Sequence, residues 1–351
     1  MRIHQVIAAA APGDAVTTQA LAWRDHLHSW GVEGEVVAEH VHPTLARTVS
    51  RIPRGGASLT GADGLVLHYS VWSAAVETAL ASGLPLALCY HNVTPGPMLR
   101  AWNQELADAC DRARAGLARL AGRIDTLVAV SAYNAADLRA AGLGEASVVP
   151  LLLDLPEAPP EPRPAGTPPS VISVGRIVPN KRLDDVVRAF ALYRERHAPA
   201  ATLTLVGSDD GFTGYRRALE DLVRRVDVGG VRFTGRVSDA VRDVVYSRAD
   251  AYLCMSEHEG FCAPLVEALG RGVPVVARAA AAVPETLGGA GVLVDEPDVL
   301  PVTSEALHAV VSDEPTRAGL AGAAARRLDE LRASEIAPRL RAALAPLLER
   351  T

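Results

Sequence analysis

The sequence predicts an α/β protein of two doubly wound domains that face each other across a cleft, and three observations support this prediction. The chain has 351 residues, 49% of them hydrophobic, which exceeds one ordinary core and suffices for two. Apolar runs alternate with helical stretches rich in Ala, Arg and Leu, as in parallel sheets covered on both faces. Residues 156–170 are rich in proline, which disfavours helices and central strands, so an interdomain linker is predicted there.

The predicted first domain comprises residues 1–155. Its first strand, IHQVIAAAA, is soon followed by Pro12 and Gly13, so the apolar start is too short for a membrane span and lacks the layout of a signal peptide. The further predicted strands are EVVAEHV, GLVLHYS, PLALCYH, TLVAVS and SVVPLLL. Helical stretches separate most of these runs, which predicts a parallel sheet.

The predicted second domain comprises residues 171–332. Its strands are SVISVG, LTLVG, VRFTG, AYLCMS, VPVVAR and GVLVD, and each is followed by a helical pattern. Ligands of such sheets bind at the carboxyl ends of the strands. The loops after these runs are therefore the candidate binding segments.

The run EGFCAPLVEA, which begins at Glu259, follows the predicted strand AYLCMS. Pro264 can open a helix, because proline at the first helical position loses no hydrogen bond. Free N–H groups from Phe261 to Leu265, together with the helix dipole, would attract a phosphate. Glu259 before the loop and Glu267 in the first turn would suit the hydroxyls of a sugar or ribose; alternatively, they are an exposed acid and a complement to the dipole.

Lys181 is the only lysine among the 35 basic Lys and Arg residues of the chain, and it lies in SVGRIVPNKRL, just after a predicted strand. A cation at the start of a helix opposes the macrodipole, so a bound anion is a natural compensation. Arg176 and Lys181 together could hold a diphosphate. The alternative is a solvated pair of basic side chains in a loop.

GRIVPNK, EGFCAPLVEA about eighty residues later, and then GRGVPVVA and GVLVD follow one another in the second domain. In order and spacing they resemble the donor-binding half of the retaining glycosyltransferases of family 4, the glycosyl transferases group 1, which have the GT-B fold of two Rossmann-like domains. The resemblance implies that Arg176 and Lys181 hold the nucleotide diphosphate, that Glu259 contacts the transferred sugar and that Glu267 binds the ribose. It adds a donor-lining set: Gly260, Phe261, Cys262, Ala263, Pro264 and Leu265, with Arg236 and Val237 near the base.

The first domain resembles this family less completely. The family often has a paired-glycine loop after the first strand, and this chain has only Gly13 there, for which a contact to the donor phosphate is expected. His91 and Asn92 in CYHNVTP resemble an acceptor-side loop and place His91 beside the attacking hydroxyl. His68 and Tyr69 would help to line the cleft, although a histidine at a strand end is often only a hydrogen-bonded loop residue.

Two predictions concern the helices. Trp102, before a helix-like stretch, could cover an acceptor or touch a membrane surface, but the arginines behind it are offset by acids, so a solvated helix face with at most peripheral membrane contact is favoured. The resemblance also implies that the last helix, at about 333–351, packs back on the first domain.

The predicted function is transfer of a hexosyl-type sugar from a UDP- or GDP-sugar to an acceptor hydroxyl, with retention at the anomeric carbon. The resemblance implies that the departing phosphate takes the acceptor's proton. No metal or other cofactor is expected. The acceptor would be a small molecule or a lipid-linked glycan, in natural-product or cell-surface glycan biosynthesis. Two alternatives stay open: a sugar-nucleotide epimerase of the same fold, and a catalytically silent binding partner. The sequence does not name the sugar, the nucleotide, the linkage or the oligomeric state.

Composition bounds the partners and the setting. The net charge of −6 argues against a nucleic-acid partner, which would require a basic face. The four cysteines, Cys89, Cys110, Cys254 and Cys262, show no CxxC spacing, so neither a zinc site nor a disulfide framework is indicated and a cytoplasmic setting is expected. The replacement of lysine by arginine suggests a GC-rich bacterial genome.

Overall fold

The computed structural model describes residues 1–52, 59, 61–155, 166–295 and 299–349. Most of the predicted linker, residues 156–165, lies outside this range. The chain forms two compact units. The first unit comprises Met1–Gly96, Glu105–Leu153 and Leu331–Thr351, and the second comprises Pro97–Gln104 and Asp154–Glu330.

The first unit is built on a seven-stranded sheet whose neighbouring strands are all parallel. Its strands are β1 (Ile3–Ala10), β2 (Val36–Val41), β3 (Val49–Arg51), β4 (Gly64–Tyr69), β5 (Leu86–Tyr90), β6 (Thr126–Ala129) and β7 (Ser147–Val148), in the order β3-β2-β1-β4-β5-β6-β7. The edge strand β3 was not predicted, because only one of its three residues is buried and it has no apolar run.

Five helices accompany this sheet: α1 (Ala15–Ser29), α2 (Ala74–Ala81), α3 (Gln104–Leu117), α4 (Ala132–Ala140) and the last helix, α12 (Ala333–Leu348). The last of these contacts β5 and β6. Leu347 lies so close to Gly64 that a Cβ atom there would be 2.9 Å from its side chain. The C-terminal helix thus packs on the sheet of the first unit.

The second unit contains a six-stranded parallel sheet. Its strands are β8 (Ser170–Val174), β9 (Thr202–Val206), β10 (Val231–Gly235), β11 (Ala251–Cys254), β12 (Val275–Arg278) and β13 (Val292–Val294), in the order β10-β9-β8-β11-β12-β13. The helices are α5 (Leu183–Arg196), α6 (Thr213–Arg225), α7 (Asp239–Ser247), α8 (Ala263–Gly270), α9 (Val283–Leu287), α10 (Val299–Ser312) and α11 (Glu314–Glu330). The predicted α/β class and both doubly wound sheets are confirmed.

Strand order determines where binding loops meet. In the second unit β8 is followed in sequence by β9 on one side, while β11 pairs with its other side. The chain reverses its direction of travel across the sheet at this point, which opens a crevice beyond the strand ends. The loops after β8 and β11 therefore lie side by side. The first unit has the same kind of switch between β1 and β4.

The segment Pro97–Gln104 departs from the predicted domain boundary, because it belongs to the second unit although β5 and most of α3 belong to the first. The Trp102 ring meets Tyr215 edge-on, with 5.2 Å between ring centroids. Asn103 Nδ2 donates a hydrogen bond to the Gly211 carbonyl at 2.9 Å.

Within the described ranges, no helix is long and apolar enough to cross a membrane.

Three strand ends of the second unit meet at glycines. Gly207, after β9, has φ +149°, and a Cβ atom there would lie 1.9 Å from the Gly175 carbonyl oxygen after β8. Gly207 N–H donates to the Gly235 carbonyl at the end of β10, at 3.1 Å. The near atom belongs to the backbone of Gly175, so it cannot move away without separating the strands. This contact therefore positions the loop that starts at Gly175.

Gly207→Ala is therefore expected to lower the free energy of unfolding by more than about 4 kcal/mol, because it adds a backbone clash to an unfavourable φ. Gly235→Ala is the matched control: its φ is +70° and no atom of the described residues lies within 4 Å of the added atom, so backbone strain alone should cost about 1–2 kcal/mol. Denaturant unfolding measures both. Equal losses in the two variants would contradict the close approach.

Candidate functional site

The loop after β8 carries the two predicted basic residues. Pro179–Lys181 form a 3-10 turn, and Arg182, with φ +46°, joins it to α5. A Cβ atom on Gly175 would be 3.0 Å from Lys181 Cε, so the glycine leaves room for the lysine to reach back over the strand end. Lys181 precedes the helix instead of lying in its first turn.

The loop after β8 is fastened to the loop after β11 by two hydrogen bonds of Asn180. Asn180 Nδ2 donates to the His258 carbonyl at 3.0 Å, and the Glu257 N–H donates to the Asn180 carbonyl at 2.9 Å. Asn180 is buried. Because one residue bonds twice to consecutive positions of the other loop, the register between the two loops is fixed.

Lys181 and Glu259 form an ion pair, with Nζ 2.5 Å from Oε1 and side chains only 17% and 14% exposed. The same carboxylate oxygen accepts a hydrogen bond from Ser256 Oγ at 2.8 Å. Burial lowers the pKa of Lys181, but the attraction of the Glu259 carboxylate outweighs it and raises the pKa above its usual value. The lysine is therefore charged, and one of its three N–H donors serves Glu259.

The loop from Glu259 to the start of α8 presents main-chain donors. Cys262 has φ +71°, a left-handed conformation in which glycine is the usual residue. In the part of the chain that the structure describes, the N–H groups of Gly260, Phe261, Cys262 and Ala263 have no backbone acceptor. These donors and the helix start form an anion-binding geometry.

Two predictions about α8 need correction. The Leu265 N–H is not free, because it donates to the Cys262 carbonyl at 3.0 Å, and Pro264 has no N–H. Glu267 lies in the second turn, since α8 already begins at Ala263. Its Oε2 accepts a hydrogen bond from Tyr246 OH at 3.0 Å, and among the described residues no hydrogen bond to its other carboxylate oxygen occurs.

The remaining predicted donor residues differ in their surroundings. Arg176 is exposed, and no hydrogen bond or ion pair to it occurs in the described ranges. Arg236 lies 3.1 Å from the carboxylate of Asp210, with both side chains largely exposed. Val237 packs against the core of the second unit. Arg176 is thus the basic side chain with most freedom to bind a ligand.

A charged network that the sequence analysis missed supports these loops. Arg182 pairs with Glu257 and, at 2.9 Å, with Asp185. Arg278 on β12 lies 3.1 Å from Glu257 and 3.5 Å from Asp185. Acidic and basic residues in NKRLDD and SEHEG were the available signal, but they are far apart in sequence and only the sheet brings them together. These ion pairs hold the loop after β8 against the loop after β11.

On the first unit, His68 and His91 lie together at the ends of β4 and β5. Nδ1 of His68 is 2.9 Å from Nε2 of His91, and Nε2 of His68 is 2.8 Å from Oε1 of Gln5 on β1. Cys89 Sγ lies 3.4 Å from His91 Nε2. Burial lowers the pKa of both imidazoles, that of His91 to about 4, so both are neutral near pH 7.

Three further predicted residues of the first unit have other surroundings. Gly13 has φ +72° with open space around it, beside Asp14, which caps α1. Asn92 Nδ2 donates to Asn134 Oδ1 at 2.8 Å. The prediction that Tyr69 lines a ligand surface is wrong: it is fully buried and its hydroxyl donates to the Ala113 carbonyl at 2.6 Å, because successive residues of a strand point to opposite faces.

Trp102, predicted on the acceptor side of the first domain, is part of the second unit. It lines a cavity of about 430 Å³, and the other residues that line this cavity include Met98, Arg182, Tyr215 and Glu257. The indole is 42% exposed. It therefore lies next to the loops after β8 and β11.

The ion pair of Lys181 and Glu259 is expected to contribute to stability as a unit. Lys181→Met leaves the carboxylate uncompensated and should cost about 3 kcal/mol of unfolding free energy. The double variant with Glu259→Gln should recover much of that loss. A double-mutant cycle by denaturant unfolding measures the coupling, and strictly additive losses would contradict the pairing.

Comparison with known proteins adds to this geometry. The sequence model of the family described as glycosyl transferases group 1 matches residues 168–313. Over 145 residues, 40% of this chain and 36% of the relative, the sequence is 29% identical to O-antigen chain mannosyltransferase B of Escherichia coli. Over 110 residues it is 30% identical to mannosylfructose-phosphate synthase of Agrobacterium fabrum, 30% of this chain and 24% of that protein. The matches thus span about a third and a quarter of these relatives.

Solved structures resemble the whole chain. HepE of Anabaena in complex with UDP-glucose has a TM-score of 0.78 at 18% identity, covering 98% of this chain and 99% of that one. Sucrose-phosphate synthase of Thermosynechococcus elongatus has a TM-score of 0.78 at 19% identity and covers all of both chains. Likeness at such identities establishes the fold, which is GT-B. Residues 168–313 of the second unit are similar to the glycosyl transferases group 1 family.

Proposed function

We propose that this protein transfers a sugar from a nucleotide-diphosphate donor to an acceptor hydroxyl with retention at the anomeric carbon. One observation carries the proposal: the four main-chain N–H groups from Gly260 to Ala263, which have no backbone acceptor among the described residues, adjoin the Lys181–Glu259 pair at the switch point of the second sheet. Main-chain donors, a helix start and a buried cation together suit a diphosphate.

The donor is held by residues with different tasks. Arg176, exposed and free to move, and the remaining N–H donors of Lys181 bind the diphosphate. Glu259 accepts hydrogen bonds from the sugar hydroxyls, since carboxylate oxygens are hydrogen-bond acceptors. Glu267 uses its free oxygen for the ribose, while Tyr246 OH orients the other. Arg236 and Val237 lie beside the base.

The reaction forms a bond between the acceptor oxygen and the anomeric carbon and breaks the bond from that carbon to the phosphate oxygen. The acceptor's proton passes to the departing phosphate on the same face of the sugar. Negative charge grows on the diphosphate, and the groups around Lys181 are already in place to stabilise it. We propose that this step uses no metal, and that His91, whose imidazole is neutral at pH 7, contacts the acceptor.

The donor class is proposed from the relatives and from the site. HepE binds UDP-glucose in its solved complex, and the E. coli relative is a mannosyltransferase. UDP- and GDP-hexoses are therefore the first donors to test, with a small-molecule or lipid-linked glycan acceptor. His68 and Asn92 would support His91 on the acceptor side, and Gly13 leaves room for a donor phosphate.

Binding of UDP, GDP, TDP and ADP should be measured by calorimetry on the wild type and on Arg176→Ala and Lys181→Ala. We expect one diphosphate to bind selectively. Both variants should weaken it, and Lys181→Ala should lower the rate of transfer by about a hundred- to a thousandfold at saturating donor.

Arg217→Ala is the matched control, because Arg217 is an exposed arginine of α6 in the same unit. It should leave binding unchanged. Arg176→Ala guards against a folding defect in the lysine variant, since Arg176 has no ion pair to lose among the described contacts. Full turnover by Lys181→Ala would refute the assignment, and conversion of a donor without any acceptor would favour an epimerase.

A further inference from the structure

Three metal-ligating side chains converge on one face of the first sheet, outside the donor site. In the parallel pairing of β4 and β5, His68 is the register partner of Cys89, so their side chains project to the same face. His91 follows Cys89 by two positions and returns to that face. The ligand atoms of the three lie within 4.8 Å of one another.

The distances between these atoms are close to those of a metal-ligand set. His68 Nδ1 and His91 Nε2 are 2.9 Å apart, and Cys89 Sγ is 3.4 Å from the same Nε2. Around a tetrahedral zinc ion, nitrogen and sulfur ligands at about 2.0–2.3 Å lie about 3.3–3.6 Å from one another. The third pair, His68 and Cys89, lies within 4.8 Å, so rotation of the side chains has to lengthen the distance between the two histidine nitrogens and keep the thiol within reach of the ion.

We propose that His68, Cys89 and His91 form a binding site for one thiophilic divalent cation, Zn²⁺, with a fourth position open to solvent or ligand. Two imidazoles and a thiolate match the preference of this ion. His68 and Cys89 are buried, whereas His91 is partly exposed, so the ion reaches the site past His91. Cysteine spacing could not predict this set, because its ligands come from two strands and the loop after one of them.

Gln5 makes the tautomer of His68 the correct one for coordination. Its Oε1 lies 2.8 Å from His68 Nε2, so that nitrogen carries the proton and Nδ1 presents a lone pair to the cluster. This is the usual outer support of a metal-bound histidine. Without metal, His91 Nε2–H donates to that lone pair.

Binding balances without any redox change. The ion displaces the thiol proton of Cys89, which is released to solvent. The ring proton of His91 moves from Nε2 to Nδ1, so that Nε2 can coordinate. Occupancy withdraws His91 Nε2 from hydrogen bonding, and therefore, if the proposed function holds, zinc should inhibit transfer.

Co²⁺ is the probe, because its spectrum reports both geometry and ligands. The full chain, freed of metal and kept reduced with a phosphine, should bind one equivalent. It should then show the intense visible bands of a tetrahedral ion and a thiolate-to-cobalt charge-transfer band. One equivalent of Zn²⁺ should displace it. This readout does not depend on transfer activity, so it tests the metal site independently of the proposed function.

Cys89→Ser should abolish the charge-transfer band and weaken binding by at least about a hundredfold, the upper end of what even outer-shell losses cost. His91→Ala, at a partly exposed position, tests the same site with less risk to folding and should weaken binding similarly. Cys110→Ser, in α3 of the same unit, is the matched control and should keep both band and affinity.

The inference is overturned if the wild type binds no Co²⁺ or shows only an octahedral spectrum. It is equally overturned if the thiolate band persists in Cys89→Ser and disappears in Cys262→Ala, which would assign the metal to the second unit. A plain hydrogen-bonded histidine pair would give the first of these results.

Discussion

The ion pair between Lys181 and Glu259 is the interaction on which the candidate donor site depends. It joins the loops after β8 and β11, which the strand order places side by side. Asn180, in the first of these loops, bonds to the main chain of the second through its side-chain amide and its carbonyl. Together with the ion pair of Arg182 and Glu257, these contacts fix the main-chain donors before α8 relative to the basic residues of the other loop.

The pair also explains how one lysine can serve both stability and binding. A buried carboxylate needs a partner, because removing one member of such a pair leaves an unpaired charge in a medium of low polarity. Lys181 supplies that partner with one donor and retains others for an anion. A bound diphosphate would interact favourably with the partial positive charge at the start of α8.

The two units use the same geometric rule for different chemistry. Each sheet reverses its strand order once, and polar side chains gather at the strand ends around that point. In the second unit they are charged residues and main-chain N–H groups. In the first unit they are neutral imidazoles, a thiol and the amide of Gln5, which suit a soft cation better than an anion.

The sequence by itself determined the fold class, the strand positions and the order of the binding loops. Buried parallel strands must be apolar on both faces, so they appear as uninterrupted runs. The motifs at their ends in the second unit resemble those of the family whose model matches residues 168–313. The edge strand β3 escaped prediction because it is short and mostly exposed. Local signals sufficed wherever one segment carried all the information.

Only the tertiary structure decided which of the singled-out residues meet. Lys181 and Glu259 are 78 positions apart, and their pairing follows from strand order, not from either motif. Tyr69 lies on the opposite face of its strand from His68, and it is therefore not part of the candidate site. Cys89 lies on the same face as His68 and joins the two histidines. Trp102 belongs to the second unit, where its ring packs against Tyr215. Such outcomes depend on pairing register and packing between distant segments, which no local pattern encodes.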